Sequence, residues 1–329
     1  MSNNQKILEQ FDSFSVKKPS ESRLKTHIYA DYLELISLIT KDYVSQSDFI
    51  DRLQDSGEEF EVSNVPDGNT GITDTQKNDS AEYFANTIFE YITERNSIYK
   101  ESYPFEISTE LGIKLKEKKY LTIQQELYIY LLIASSLSSF QKTQSIITSE
   151  FETLSVNVLK SYLPDNAKVV NFSQNDIYIG NAKEKIKQLA KEINIEYNSR
   201  EIEQISDQNS KEEGLDIVGW IPFEDNNPNT IIIFGQCACG KDWFGKQNDT
   251  LRYENYLIPY RQPFTHSFFI PYDLKNTNGR FNFSKDIITN HLIFERRRIL
   301  SLVGNDIFNY LNYSQQIIEK CLNYQEDIV

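Results

Sequence analysis

The residues with the most chemical potential sit in one stretch, from Gly214 to Lys246. It reads Gly-Leu-Asp216-Ile-Val-Gly-Trp, crosses a polar turn from Glu224 to Asn229, and resumes as Thr-Ile-Ile-Ile-Phe-Gly-Gln236-Cys-Ala-Cys-Gly-Lys241-Asp-Trp-Phe-Gly-Lys246. Each apolar run carries one polar side chain that can ligate a metal or position water, Asp216 in the first and Gln236 in the second. A carboxylate in a buried strand costs several kcal/mol, of order, unless it is paired or holds a cation. Mg²⁺ or Mn²⁺ takes hard oxygen ligands and keeps several waters, so one or two carboxylates plus a carbonyl suffice. Asp216, the Gln236 amide and the backbone carbonyl of Cys237 form such a set when their strands are neighbours. An ion there would lower the pKa of a bound water and offset negative charge on a neighbouring oxygen, which is the chemistry of metal-assisted hydrolysis.

The elements that must position these groups follow from the pattern. Two short apolar runs around an Asn/Pro turn predict an antiparallel hairpin, and both runs are hydrophobic on both faces, so both strands belong inside the fold. Upstream, Thr148-Ser-Glu150-Phe-Glu152 predicts a helix start, with Phe151, Leu154, Ser155, Val158 and Leu159 at core spacing and Pro164 as the stop. A strand is expected at Ala167–Phe172 and an amphipathic helix from Asn181 to Ile195. Downstream, the pattern predicts a helix from Lys246 to about Tyr256 and a strand at Thr265–Ile270. It then predicts a long helix from Lys285, capped by Ser284, to Val303, and a last helix from Phe308 to Leu322. That order is an α/β pattern around a short mixed sheet.

The N-terminal region reads as helical. Helices are expected at Leu24–Val44, at Phe49–Leu53, from Ser80 to about Tyr99, and from Ile123, behind a Thr122 cap, to Phe140. A long loop is expected from Asp55 to Ser80, with one short strand at Phe60–Val62. Nothing in residues 1–145 carries a chemical signature, so this part is expected to be a platform for a partner or for DNA.

The core-helix Glu152, the strand ending Gly214-Leu-Asp216 and the strand ending Phe234-Gly-Gln236-Cys resemble the Mrr-like branch of the PD-(D/E)XK nucleases. The resemblance covers roughly residues 146–305. It implies a restriction-endonuclease-like core, in which a mixed sheet is flanked by helices, within a second domain of residues 146–329 behind a helical domain of residues 1–145. It implies a Mg²⁺- or Mn²⁺-dependent DNA endonuclease with Glu152, Asp216 and Gln236 at its centre and Glu152 as a further metal ligand. It also implies a place in bacterial restriction or anti-phage defence, beside an ATPase or helicase-type subunit or as a homo-oligomer. One departure stands out: the family's Lys, two residues after the Gln, is Ala238 here. Lys246, and after it Lys241, are expected to supply that ammonium from the neighbouring turn. Without either, the domain would be an inactive nuclease fold that binds protein or nucleic acid; RNA or branched DNA are the alternative substrates.

Each residue also has a structural explanation. Ser149-x-x-Glu152 spells a capping box. Asp216 can accept backbone donors at a strand end, Gln236 can bond across the sheet, and single lysines are most often solvated.

Length and composition set the frame. The 329 residues, 39% hydrophobic, are enough for one large domain or two ordinary ones. No apolar run is long enough to span a membrane and the N-terminus lacks a hydrophobic signal region, so a cytoplasmic protein is expected. Three cysteines make neither a disulfide framework nor a zinc set and are expected as buried thiols. His27, His266 and His291 are scattered, with no metal-pair spacing, and no phosphate-binding Gly-rich loop occurs. The net charge of −14 argues against a surface coated for nucleic acid. Basic residues nonetheless outnumber acidic ones between Ile231 and Leu300, and Arg252, Arg261, Arg296, Arg297 and Arg298 are the expected phosphate-binding groups.

Overall fold

A computed structural model describes residues 26–54, 74–174, 177–209, 213–223, 225, 227–274 and 287–324, with 16, 18 and 19; side chains at 74–79 and at Lys241 are outside that description. The chain divides into two compact units. The first is Met1–Thr143, Tyr272–Phe281 and Gln315–Val329; the second is Gln144–Pro271 and Asn282–Ser314.

The first unit holds helices α1 (Thr26–Thr40), α2 (Gln46–Gln54) and α3 (Asp74–Tyr99), the strands β1 (Phe105–Ser108) and β2 (Gly112–Leu115), and helix α4 (Ile123–Ser135). Helices α1 and α4 are apolar almost all round and buried almost all round, which is what a central helix requires. Thr122 caps α4 in a reciprocal capping box with Gln125. The helix ends at Ser135 and gives way to a 3₁₀ turn, Leu137–Ser139, short of the expected Phe140. Residues from Asp74 are helical where a loop is expected, and the strand expected at Phe60–Val62 lies outside the described residues. The region is not wholly helical, because β1 and β2 form an antiparallel hairpin. Val44 extends it by exchanging backbone bonds with Ile113 (2.8 and 3.1 Å). Gly112 makes this approach possible: its φ is +101°, and a side chain there would overlap the Val44 carbonyl.

A charged network lies in the core of this unit. Arg95 of α3 is 1% exposed; its Nη1 sits 2.7 Å from Asp31 Oδ1 and 2.9 Å from Glu34 Oε2. Tyr103 and Tyr128 donate their hydroxyls to Glu34, Ser135 donates to Asp31 (2.6 Å), and Tyr99 donates to Asp273 (3.0 Å). Nearly every carboxylate oxygen in the network has a donor, as a buried charge demands.

The second unit runs α5 (Gln144–Tyr162), β3 (Lys168–Asn171), α6 (Ala182–Glu192), β4 (Glu196–Tyr197), α7 (Ser199–Ile202), β5 (Ile217–Trp220), β6 (Ile232–Cys237), α8 (Tyr253–Tyr256), β7 (Leu257–Ile258), β8 (Thr265–Phe269), β9 (Leu292–Phe294) and α9 (Arg296–Leu302). The last helix, α10 (Ser314–Asn323), passes into the first unit at Gln315. Five strands form one sheet in the order β3-β5-β6-β8-β9. The pairs β3/β5 and β5/β6 are antiparallel, while β6/β8 and β8/β9 are parallel. The fold is therefore mixed α/β around a mixed sheet, and the β5–β6 hairpin stands where the sequence places it, with every residue of both strands buried.

Helices cover the sheet on both sides. Leu159 and Leu163 lie so close over Gly219 that a Cβ there would meet them at 3.1 and 3.2 Å, so α5 packs directly on the β5 backbone. On the other face Val218, Trp220, Ile232 and Phe234 join Ile186, Leu189, Ile202 and Tyr253 in one core cluster. Each such side chain contributes roughly 1.5–3 kcal/mol on full burial.

Four element expectations are corrected. Helix α5 starts at Gln144, so Ser149 and Glu152 lie inside it and form no capping box. After β6 the chain makes two 3₁₀ turns, Lys241–Lys246 and Asp249–Arg252, and only Tyr253–Tyr256 is α-helical. The expected long helix to Val303 is instead strand β9 and the short α9, with Ser284 and Lys285 outside the described residues. Glu295 ends the strand and caps the helix by accepting the Arg297 and Arg298 amides. The expected last helix is a 3₁₀ turn, Ile307–Asn309, followed by a break and α10, whose start is held by Glu150: its carboxylate accepts the amides of Asn312, Tyr313 and Ser314 at 2.9–3.1 Å.

Candidate functional site

The candidate residues gather where β3, β5 and β6 meet α5. Asp216 immediately precedes β5, and its backbone is fixed on both sides. Its amide donates to the Gly235 carbonyl (3.0 Å), and its carbonyl accepts the Phe172 and Ser173 amides (2.7 and 3.3 Å). The Asp216 side chain is half-buried, and its Oδ2 accepts the Cys237 amide at 2.7 Å. The strand-end explanation of Asp216 therefore holds for one oxygen of the carboxylate.

Glu152 sits mid-way along α5 and is half-buried. Ser173 Oγ donates to its Oε2 at 2.6 Å and Gln174 Nε2 to the same oxygen at 2.5 Å. Ser149, one turn earlier, donates to Gln174 Oε1 (2.5 Å), so helix and strand end are laced together by polar side chains. Ser173 links the two acids: its amide bonds to the Asp216 carbonyl and its hydroxyl to Glu152. Sequence reasoning misses Ser173 and Gln174. The signal for them is two polar residues directly after the apolar strand that ends at Phe172.

The cysteines report which groups converge. Cys237 and Cys239 are buried free thiols, as expected. Burial pushes the Cys237 thiol well above its usual range, and Asp216 and then Glu152 push it further, against a hydrogen bond with Ser155 of α5. Cys239 is raised by burial, then by Glu152 and Asp216, and lowered by Lys246. Both carboxylates and the Lys246 ammonium thus lie within electrostatic reach of one thiol. Lys246 itself ends the first 3₁₀ turn and is exposed. Lys241 opens that turn, but its side chain is outside the described residues.

Gln236 is placed differently from the expectation. Strand alternation puts Cys237 on the α5 face, so Gln236 goes with Phe234 on the opposite face. It is 6% exposed; its Nε2 donates to the Cys237 carbonyl (3.2 Å), and its Oε1 has no hydrogen-bond partner among the described residues. The link from Gln236 to Asp216 therefore runs through the Cys237 peptide, whose amide bonds the acid and whose carbonyl accepts the amide side chain. The carbonyl nominated as a metal ligand is in that hydrogen bond. Ala238, at the family's Lys position, is 2% exposed.

The oxygens on the α5 face suit a hard cation: two half-buried carboxylates, with no imidazole. Among the described residues no group of three or more His, Cys, Asp and Glu forms a metal cage. Mg²⁺ ordinarily needs only one or two carboxylates, with water completing its shell.

The expected basic face is thinner than the sequence suggests. Arg296 is fully buried and donates from Nε to the Pro271 carbonyl (2.9 Å), so it is withdrawn from any phosphate. Arg298 is exposed with one nitrogen bonded to the Ile293 carbonyl (2.6 Å), while Arg297 and Arg261 are exposed. Arg252 faces Glu213 (3.3 Å) and Asp249 (3.8 Å).

No family model, curated protein or solved structure matches this chain. Among the described residues no helix is long and apolar enough to cross a membrane.

Proposed function

We propose that this chain is a metal-dependent endonuclease that hydrolyses DNA phosphodiester bonds from a restriction-endonuclease-like core. The observation that carries the reading is the pairing of Asp216 and Glu152 through Ser173 at one end of the mixed sheet, with Lys246 in electrostatic reach of the neighbouring Cys239 thiol. Asp216 and Glu152 would hold Mg²⁺ or Mn²⁺, with water completing the shell. The ion, when bound, supplies an activated water and neutralises phosphoryl charge. The chain's own residues do the positioning. The Cys237 amide orients Asp216, Ser173 and Gln174 orient Glu152, and Lys246 offsets charge developing on the phosphate. Arg261, Arg297 and Arg298 are the exposed cations for the strand, and with a net charge of −14 firm DNA binding requires a basic partner or a second copy. The resemblance in sequence extends the proposal to a defence role beside an ATPase or helicase-type subunit.

A second reading, a nuclease fold that binds without cutting, is favoured by the buried Ala238 and by Gln236 facing away from Glu152. Duplex cleavage with and without Mn²⁺ decides between them. Wild type is expected to cut only with metal, and Asp216→Asn to lose ~10²–10⁴ of that rate with its fold intact. A wild type that binds DNA yet never cuts supports the second reading, and an unimpaired Asp216→Asn removes the site from Asp216.

A further inference from the structure

One polar residue beside the acids has no part in the chemistry proposed above. Ser149 stands one turn before Glu152 on α5, and residues three apart lie on the same face of a helix. The Gln174 side chain spans the two. Its Oε1 accepts the Ser149 hydroxyl at 2.5 Å, and its Nε2 donates to Glu152 Oε2 at 2.5 Å. An ionised carboxylate only accepts, so the amide must turn Nε2 toward Glu152, and its oxygen is left for a donor. Ser149 is that donor.

Gln174 needs that support. A glutamine gives up much side-chain freedom when one position is imposed on it, and Gln174 is exposed. Its backbone is fixed separately, because its amide donates to Asn171 Oδ1 at 2.8 Å. Asn171 ends β3 and pairs with Ile217, the residue after Asp216. The turn from Asn171 to Gln174 therefore starts beside one acid and ends on the other. Ser173, the second donor to Glu152, is less committed. Its Oγ lies 2.6 Å from Glu152 Oε2 and 2.9 Å from Asn171 Oδ1, with one proton to serve both. Gln174, gripped by Ser149, is the donor that sets the position of Glu152.

We propose that Ser149 is a positioning residue of the acid pair: through Gln174 it holds the Glu152 carboxylate where a cation shared with Asp216 needs it. The role rests on the metal-dependent reading of the site and gives that site a residue that touches neither the cation nor the substrate. It is separable from folding, since alanine is a better helix former than serine inside a helix. A purely structural serine and a positioning one therefore differ in what their loss does to stability and to metal binding.

The test is a calorimetric titration of the full chain with Mn²⁺, with urea unfolding of each variant. Ser149→Ala is expected to weaken Mn²⁺ binding about three- to tenfold, the loss of one hydrogen bond, while its unfolding midpoint stays level or rises. Ser149→Thr, which keeps a hydroxyl, is expected to bind as wild type does. Gln174→Ala is expected to weaken binding at least as much as Ser149→Ala, and the double variant to be no weaker than Gln174→Ala alone. Unaltered Mn²⁺ affinity in Ser149→Ala, or losses that add in the double variant, overturns the proposal. A second signal needs no metal: the Nε2 proton resonances of Gln174 are expected to shift in Ser149→Ala. If wild type takes up no Mn²⁺ while those resonances still respond, the metal reading fails and the Ser149–Gln174 link stands. Resonances indifferent to Ser149→Ala overturn the link whether or not Mn²⁺ binds.

Discussion

Two places in this molecule bring acidic side chains together, and they do opposite things with them. In the first unit Asp31, Glu34 and Asp273 surround the Arg95 guanidinium, all nearly inaccessible, with tyrosine and serine hydroxyls on their oxygens. In the second, Asp216 and Glu152 are half-buried, and the donors on them come from the ends of neighbouring strands. Acids met by protein donors in a closed core are withheld from a ligand. A pair held in place by a few bonds at the margin of a sheet keeps both order and access. Acidity by itself separates neither case; accessibility and the source of the donors do.

The contrast breaks most visibly under substitution. Arg95→Met is expected to destabilise the chain by ~3–5 kcal/mol, because it strands buried carboxylates. Asp216→Asn is expected to leave stability within about 1 kcal/mol, since the amide oxygen still accepts the Cys237 N–H, while abolishing metal-dependent cleavage. Urea unfolding and a cleavage assay on both variants read the two axes. A stable Arg95→Met or an unfolded Asp216→Asn would dissolve the distinction.

The neighbours Glu150 and Glu152 repeat it two residues apart. Glu150 is 3% exposed and accepts three amides ahead of α10. Glu150→Gln is expected to cost ~1–3 kcal/mol, and Glu152→Gln less than half of that. Equal losses would make Glu152 another cap-like acid.

Among the arginines, Arg297→Ala with Arg298→Ala is expected to flatten the salt dependence of duplex binding by roughly 0.9 in log–log slope for each phosphate that is no longer neutralised. Arg296→Met is expected to leave the slope alone and lower stability. A slope change in Arg296→Met would contradict its burial.

The smallest effect is a pH dependence. His291 has its pKa lowered in the folded state to about 4 from the usual imidazole value near 6.5. The unfolded chain therefore binds the extra proton first, and stability falls as pH drops through that window. His291→Phe is expected to make the decline between pH 6.5 and 4 shallower in urea titrations. An unchanged slope would mean that His291 is solvated.

How much of this the sequence made legible depends on distance along the chain. The β5–β6 hairpin was readable because two unbroken apolar runs and an Asn/Pro turn are local signals. Strand β9 was not, because Leu292-Ile-Phe-Glu-Arg-Arg-Arg-Ile-Leu fits a helical period as well as a short strand. Glu150 and Arg296 escaped for another reason. Their partners lie 162–164 and 25 residues away, and nothing local distinguishes such residues from solvated neighbours. Gln236 was readable as an unusual polar residue, but its face depends on the α5 packing that Ser155 and Cys237 reveal.

The division of the chain has a consequence for its synthesis. The first unit includes Asp273, which bonds Tyr99, and most of α10, whose Cys321 carbonyl accepts the Lys41 ammonium at 3.4 Å. A ribosome delivers the helices of this unit before the strands of the second, yet the unit lacks those partners until Asp273 and α10 have emerged. The second unit has all its strands sooner. The part translated first is thus the part completed last, and in the interval Arg95 must wait beside Asp31 and Glu34 for its third acid. A chain truncated before Tyr272 should expose the N-terminal helices to protease, and one truncated after Asn323 should not.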